Sequence, residues 1–581
     1  MPDSTMPDST NATPIAQPTA PDKHPLGSRA KVLLTSVFGP YAVDDGAGSR
    51  LINPMELYHN QVTRVQQAYS LRTFQRSWGL MLIQVNLEAP TTLLDFPSEK
   101  RFLQEIKEND YDVVGISSIQ TNLIKVRKMC RMIRKHLPNA TIVIGGHIGN
   151  FPGLDQFCDY DHVVRGDGIC WMRDFLGQDT QTPLKHPQVI ANIGSRMMGI
   201  NLKNHPGDIA ATLIPSAGCP MGCNFCSTSA MFGGKGKYVK FFETGQQLFD
   251  IMCQLEKTLD TRAFFVMDEN FLVDKKRALG LLELMQKHNK PWSLYLFSSA
   301  NILKQYTMEQ LVALGVSWVW MGLEGKSSQY TKLAGTDTFS LVKELQSHGI
   351  RVLGSSIIGL EEHTPENIDE AIDHAVAHNS EFHQFMLYTP IPGTPLYAEH
   401  EAKGTLLDRS EISIPDIHGQ LRFNFHHPNI KDGQETEFLL RAFHRDFDVN
   451  GPSAIRIIRT TLRTWERYKN HPDARIRARF SEEAASLPVK YSGVLWATER
   501  AYEDKPRIAK MCSQLLDDIH ELYGAKSRHA APIVGRYILK RLRDEQARLA
   551  DGWTYEPPTY YETNVDDGPT NATRVEGAAT T

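Results

Sequence analysis

Three cysteines within eight residues, Cys219, Cys223 and Cys226 in the run Ser-Ala-Gly-Cys-Pro-Met-Gly-Cys-Asn-Phe-Cys, constrain this chain more than any other feature of it. Whatever fold surrounds them must present three thiols from one loop. Thiolates at C-x3-C-x2-C spacing can grip three irons of a [4Fe–4S] cube and leave the fourth without a protein ligand. A fourth cysteine would close the cluster for electron transfer, but the next, Cys253, lies beyond a predicted helix. The spacing therefore favours a reactive cluster with one open iron.

The alternatives fit less well. Zinc sites usually take four protein ligands in paired arrangements, and no second pair exists here. A disulfide does not suit a chain without a secretory signal, whose thiols stay reduced. The other cysteines, Cys130, Cys158, Cys170, Cys253 and Cys512, are scattered among apolar or helical neighbours and read as ordinary buried thiols.

At 581 residues the chain exceeds one core, and about 150 residues per domain suggests three or four units. Its 41% hydrophobic and 22% charged content is ordinary for a globular protein. A net charge of −4 leaves no dominant footprint for nucleic acid, so no such partner is expected. The N-terminus has no apolar signal core, and no apolar run approaches the about 20 residues of a membrane span. The expectation is a cytoplasmic protein.

Residues 1–27 and 556–581, rich in Pro, Thr, Ser and Asp, are expected to be disordered tails. The segment 28–200 alternates strand runs (Ala30–Thr35, Asp112–Ser117, Ala140–Gly146) with a helical stretch bearing Ile124, Val126, Met129 and Ile133. That pattern reads as a Rossmann-like, flavodoxin-like α/β domain, with Ser117, Ser118, Gly145 and Gly146 at the carboxyl edge where ligands sit. The segment 208–405 repeats βα units over strand runs at 263–268, 292–298, 316–324, 352–359 and 382–388, with Thr364 as the N-cap of a helix. This implies a barrel whose chemistry gathers at its carboxyl rim. The segment 410–555 is expected to be mainly α-helical. Within it, residues 452–468 put Ile455, Ile458, Leu462 and Trp465 on one helical face and Arg456, Arg459, Arg463 and Arg467 on another. Such a helix can touch an anionic membrane surface or a lipid-linked substrate, but a solvated arginine face over a packed helix is the favoured reading.

Taken with its setting, the triplet resembles that of the radical S-adenosylmethionine (SAM) enzymes, in which an aromatic precedes the last cysteine, here Phe225. The first segment resembles the cobalamin (B12)-binding domain that precedes the barrel in one subclass, through Val-Val-Gly-Ile-Ser-Ser at 113–118, Ile-Gly-Gly-His at 144–147 and Val-Val-Arg-Gly-Asp-Gly at 163–168. Pro390-Ile-Pro-Gly-Thr-Pro-Leu-Tyr397 is similar to the loop that ends that subclass's barrel. One departure is the absence of the D-x-H-x-x-G loop that gives cobalt a lower histidine in many cobalamin proteins; His147 reads as a loop residue instead. A flavodoxin-like domain used only for packing stays open beside cobalamin binding.

The resemblance implies an open, partial (β/α)6 barrel holding a [4Fe–4S] cluster on Cys219, Cys223 and Cys226. It implies SAM contacts from Phe225, Asp268, Glu269, Asn270, Ser298, Ser299 and Glu324, and cobalamin contacts from Ser117, Ser118, Gly145 and Gly146. The implied activity is a 5′-deoxyadenosyl radical that abstracts hydrogen from an unactivated carbon, most plausibly for cobalamin-dependent C-methylation of a lipid, tetrapyrrole or natural product. An electron donor such as flavodoxin or ferredoxin would feed it. Oxidative cyclisation, ring rearrangement or C–C coupling without methyl transfer is the alternative outcome, and a non-catalytic iron–sulfur scaffold or sensor the alternative class.

Overall fold

The β-branched runs of the first segment assemble into a parallel sheet in a computed structural model that describes residues 22–38, 62–71, 75–191, 196–201, 210–323, 337–552, 559–564 and 574–576. Its strands are β1 (Val32–Thr35), β2 (Thr91–Asp95), β3 (Val113–Ser117), β4 (Thr141–Gly145) and β5 (His162–Val163), in the order β2-β1-β3-β4-β5. Helices cover both faces, which is why the strands read as near-continuous apolar runs. Leu33, Val114, Ile116 and Ile144 face helices Glu99–Glu108 and Leu123–His136, whereas Val32, Leu34, Leu93 and Val113 face Trp78–Gln84 and Gly168–Phe175. Strand order reverses between β1 and β3, and ligands of such sheets bind beyond the carboxyl ends at that point.

The chain leaves this domain earlier than residue 200. Strand β6 (Ile190–Ala191) pairs antiparallel with β9 (Ala210–Leu213) of the second sheet. The hairpin of β7 (Arg196–Met197) and β8 (Ile200–Asn201) packs through Met197, Met198 and Ile200 into the helical core, where Arg196 meets Glu545 at 2.6 Å in a buried ion pair. After the two-residue ladder of β10 (Ser216–Ala217) and β11 (Val239–Lys240), β12 (Ala263–Val266), β13 (Ser293–Phe297), β14 (Val316–Gly322), β15 (Arg351–Ile358) and β16 (Phe382–Leu387) follow. The sheet order β6-β9-β12-β13-β14-β15-β16 contains six parallel strands from β9 to β16, the partial barrel expected from the sequence. Thr364 caps a preceding turn rather than the helix itself, which runs Ile368–Ala377 with Asn367 before it.

Alternation along these strands divides the barrel. Leu294, Leu296, Val316, Val319 and Val352 are buried beneath the outer helices. Tyr295, Phe297, Trp318, Trp320, Ser355 and Gln384 occupy the other pleat face and keep partial exposure. The interior is therefore a lumen lined by aromatic and hydrogen-bonding groups: Phe297 stacks on Trp320 at 5.0 Å, Trp320 Nε1 donates to Ser355 Oγ at 2.8 Å, and Ser355 Oγ donates to Gln384 Oε1 at 2.7 Å.

Helices Gln434–Asn450, Ser453–Tyr468, Ala474–Ala484, Ser492–Ala501, Pro506–Tyr523 and Ala525–Ala550 form the last third. Of the arginines of 453–479, Arg463 and Arg467 are exposed as expected, whereas Arg456, Arg475 and Arg479 are buried and Arg459 is half-buried. Arg456 is 0% exposed and pairs with Asp446 at 2.6 Å. Arg459 donates to Asn379 Oδ1, Arg467 to the Ser347 carbonyl, Arg475 to the Ala313 carbonyl and Arg479 to the Val312 carbonyl. Guanidinium forks satisfy helix-terminal carbonyls left over by the barrel, so the arginines bolt one domain to the other. Arg351, at the start of β15, completes the seal through Glu483 at 3.0 Å and Thr461 at 2.8 Å.

Both tails also depart from expectation where they are described. The His24 N–H donates to the Phe175 carbonyl at 2.7 Å, so residues 22–27 dock on the first domain, while 1–21 lie outside the described residues. Strand β17 (Thr559–Thr563) joins the first sheet beside β2, antiparallel, with β18 (Arg574–Glu576) beyond it. The physical cause is the pair Tyr560 and Tyr561, covered by Arg76 at 4.3 Å and Arg101 at 5.3 Å, together with a Glu562–Arg76 ion pair at 2.5 Å. A composition of Pro, Thr and Asp conceals these anchors.

Candidate active site

The cysteine loop leaves β10 at the carboxyl end of β9, on the barrel rim. Two glycines shape it. Gly218 has φ +91° and a Cβ there would stand 2.7 Å from the Phe232 ring; Gly222 has φ +72° and a Cβ would stand 2.6 Å from Lys235 Cβ. Only glycine fits either place. Cys226 precedes helix Ser227–Met231, accepting at Sγ from the Ser229 N–H at 3.4 Å, and its own N–H donates to the Cys223 carbonyl at 3.1 Å. All three cysteines are outside any disulfide and partly exposed. Burial, followed by the charges of Cys226 and Cys223, pushes the Cys219 thiol up to about 12. Three thiols presented from one loop are the donor set that iron would convert to thiolates. Among the described residues no three His, Cys, Asp or Glu converge on a single metal ion; each thiolate of a cluster grips a different iron, so its ligands stand apart. Phe225 packs against the apolar cluster of Ile358, Leu360 and Leu396, which fixes the loop to the far side of the barrel.

The expected SAM residues after β12 and β13 come together, with divided roles. Asp268 Oδ2 accepts from Arg277 at 2.7 Å and from Ser216 Oγ, and Oδ1 accepts from the Asn270 N–H at 3.0 Å. Asp268 is thereby spent on the fold, holding β10 to β12. Asn270 Oδ1 accepts from Ser298 Oγ at 3.1 Å and from the Ser299 N–H at 3.3 Å, and its amide donates to Ser299 Oγ at 3.2 Å. Glu269 is different. Its Oε2 is shut off from solvent with no hydrogen-bond partner, and burial, then repulsion from Asp268, pushes its carboxyl up to about 8 against the pull of the Gly218 N–H. An orphaned carboxylate beside the cysteine loop suits a cationic ligand group. Glu324 lies outside the described residues.

Ser117, Ser118, Gly145 and Gly146 meet at the carboxyl edge of β3 and β4. Gly146 has φ +80°, and a Cβ there would lie 2.6 Å from the Ser118 carbonyl oxygen, so the backbone is drawn in tightly. Beside them, Thr121 Oγ1 and both amide atoms of Asn150 are buried without partners. Those orphaned groups fit a polar cofactor laid on this edge. Neither residue is expected from the sequence, because isolated Thr and Asn carry no spacing signal. His147 is half-buried and its Nε2 lies 3.1 Å from Thr228 Oγ1, two residues past Cys226. The barrel-ending loop binds the same edge: Gly393 has φ +87° with the Asn150 carbonyl oxygen 2.2 Å from a hypothetical Cβ, and the Leu396 N–H donates to the Asn224 carbonyl at 3.0 Å. The first domain's ligand edge, the cysteine loop and the barrel's last loop thus meet at one place, over the open lumen. Among the remaining cysteines Cys170 is exposed, against expectation, whereas Cys130, Cys158 and Cys512 are buried.

A three-cysteine loop on the rim of a six-stranded parallel barrel is the arrangement that the resemblance to radical SAM enzymes implies. A family model for the B12 binding domain matches residues 78–169. An uncharacterized methyltransferase of Pyrococcus horikoshii is 24% identical over 52% of this chain and 72% of its own length. Bacteriochlorophyllide d C-8(2)-methyltransferase of Chlorobaculum tepidum is 24% identical over 52% of this chain and 70% of its own. Among solved structures, the radical S-adenosylmethionine methyltransferase TsrM from Kitasatospora setae, with cobalamin and a [4Fe–4S] cluster bound, overlays at a TM-score of 0.47 with 15% identity, over 79% of this chain and 99% of that one. The chain is thus similar to proteins named as methyltransferases and, in the anaerobic magnesium-protoporphyrin IX monomethyl ester cyclase of Cereibacter sphaeroides at 20% identity, as a cyclase, and it carries a B12-binding domain.

Proposed function

We propose that the protein methylates an unactivated carbon of a lipid, tetrapyrrole or natural product, using a [4Fe–4S] cluster on Cys219, Cys223 and Cys226, SAM and cobalamin. The observation that supports this best is the contact of His147 with Thr228, which sets the ligand edge of the B12-type domain directly against the cysteine loop. When bound, these groups supply a 5′-deoxyadenosyl radical that abstracts hydrogen and a cobalt-carried methyl group. Glu269 would take the ammonium of SAM, since ionising beside a cation relieves its buried, orphaned carboxylate. Asn270, locked by Ser298 and Ser299, would give hydrogen-bonding groups of fixed orientation to the same ligand. The aromatic lumen would hold an extended or planar apolar substrate, and the Arg351–Glu483 seal would keep water from entering below. A flavodoxin- or ferredoxin-type donor would deliver the electron.

Anaerobic reconstitution should give a brown protein with about four irons, which releases 5′-deoxyadenosine on addition of dithionite and SAM. Cys226→Ala should abolish that release; turnover that survives it removes the cluster from this loop. Cobalamin retained through purification and S-adenosylhomocysteine formed with 5′-deoxyadenosine are the results expected of methylation, and 5′-deoxyadenosine alone would favour a cyclase.

A further inference from the structure

Helix Ala525–Ala550 is buried on one side only. Ala531, Gly535, Ile538 and Leu542 pack inward, with Gly535 against the ring of Trp496. The outward side carries Ile533 at 67% exposure and Tyr537 at 57%, one turn apart. The only other large apolar side chain so exposed among the described residues is Leu26, at 39%, on a different domain. Lys526, Arg536, Lys540 and Arg543 surround the two along the same side, against a single carboxylate, Asp544. None of these four cations makes a hydrogen bond or ion pair among the described residues. The contrast with Ser453–Tyr468 is direct, because there Arg456, Arg459, Arg463 and Arg467 all have partners. The two protruding apolar groups are costly to leave in water, and the cations around them, unlike the buried Arg456, Arg475 and Arg479, are not used by the fold.

We infer that this ridge docks the protein on an anionic lipid surface. Ile533 and Tyr537 would enter the headgroup layer while the lysine and arginine stems snorkel to lipid phosphates. A bilayer is favoured over an acidic protein because the ridge is a single helix with two apolar knobs. Its two knobs stand on one convex helix ringed by cations, and a deformable lipid surface needs no matching shape. The mean hydropathy of the helix plays no part: among the described residues no helix is long and apolar enough to cross a membrane, and surface docking needs none.

The full-length protein should co-sediment with vesicles of phosphatidylglycerol and phosphatidylcholine, and not with phosphatidylcholine alone. Arg536→Gln with Lys540→Gln should weaken that binding about 25-fold, at about fivefold per cation. Ile533→Ser with Tyr537→Ser should weaken it about tenfold or more. All four positions face solvent, so both double variants should keep the wild-type circular dichroism and 5′-deoxyadenosine release. Absence of wild-type sedimentation with the anionic vesicles overturns the inference. So does binding that follows vesicle charge yet ignores Ile533 and Tyr537, which is the behaviour of a surface for acidic proteins.

Discussion

Single residues here divide into those the fold consumes and those it leaves for ligands. Asp268 and Glu269 are neighbours with opposite fates: the first is neutralised by Arg277 and the second is left without a partner at Oε2. Arg277→Met would strand a buried carboxylate, so we expect a loss of about 3–5 kcal/mol, measured by denaturant unfolding. Asp268→Asn in the same background should restore much of it. Sequence could not separate the two acids, because Arg277 sits a turn into the next helix and nothing in its spacing announces the pair. The buried histidines set a pH limit. His383 lies between Ser356 Oγ at 3.0 Å and Ser380 Oγ at 3.2 Å, and burial pushes its pKa down to about 3. His378, pushed down to about 4 by burial and then by His374, bridges Thr338 and the His374 carbonyl. The unfolded chain protonates these imidazoles below about 6.5 and the folded one does not. Their stability is therefore whole above pH 6.5 and lost as pH falls toward 4, by up to about 1.4 kcal/mol per pH unit for each imidazole. The melting temperature should fall over that window, and His378→Gln should flatten the fall.

At the scale of elements, legibility followed side-chain character rather than burial. Strands β3, β4 and β12 are apolar runs, and β13 to β16 keep one apolar face beneath the outer helices, so these were readable. Strand β2, Thr91-Thr-Leu-Leu-Asp95, was missed because threonine and aspartate fill its ends; both are buried, with Asp95 accepting from the Ser77 N–H at 2.9 Å and from Ser77 Oγ at 2.7 Å. Strand β9 was missed because Ala210-Ala-Thr-Leu213 is too short and small-sided to stand out. The helix of arginines showed its apolar face correctly, but sequence does not reveal the carbonyls that its cations would reach on the barrel. Strand β17 is the largest departure and the easiest to test. Removing residues 559–581 should expose the β2 edge and leave Arg76 without Glu562. The expected result is a lower melting temperature and concentration-dependent aggregation, while Glu562→Gln should lower stability without aggregation.

Over the whole molecule, the cysteine triplet and the glycine pair at 145–146 were legible as two sites, and their meeting at His147 and Thr228 was not, since only the fold brings residues so far apart in sequence within 3.1 Å. The three parts are interlocked rather than strung together. Val62, Leu71 and Met197 share a cluster with Leu353, Trp318 and Trp320 of the barrel, and the helical third closes its base. A chain cut after residue 430 should therefore be insoluble or lack cooperative unfolding, whereas independent domains would each melt separately. Strand β17 carries a further consequence, in time rather than space. On the ribosome, β2 emerges long before its outer neighbour; at about 5–20 residues per second, the interval is roughly 20–90 s. Until then the first domain offers an unpaired edge to every other nascent chain, so production of this protein should depend on chaperone supply and improve when translation is fast relative to encounter.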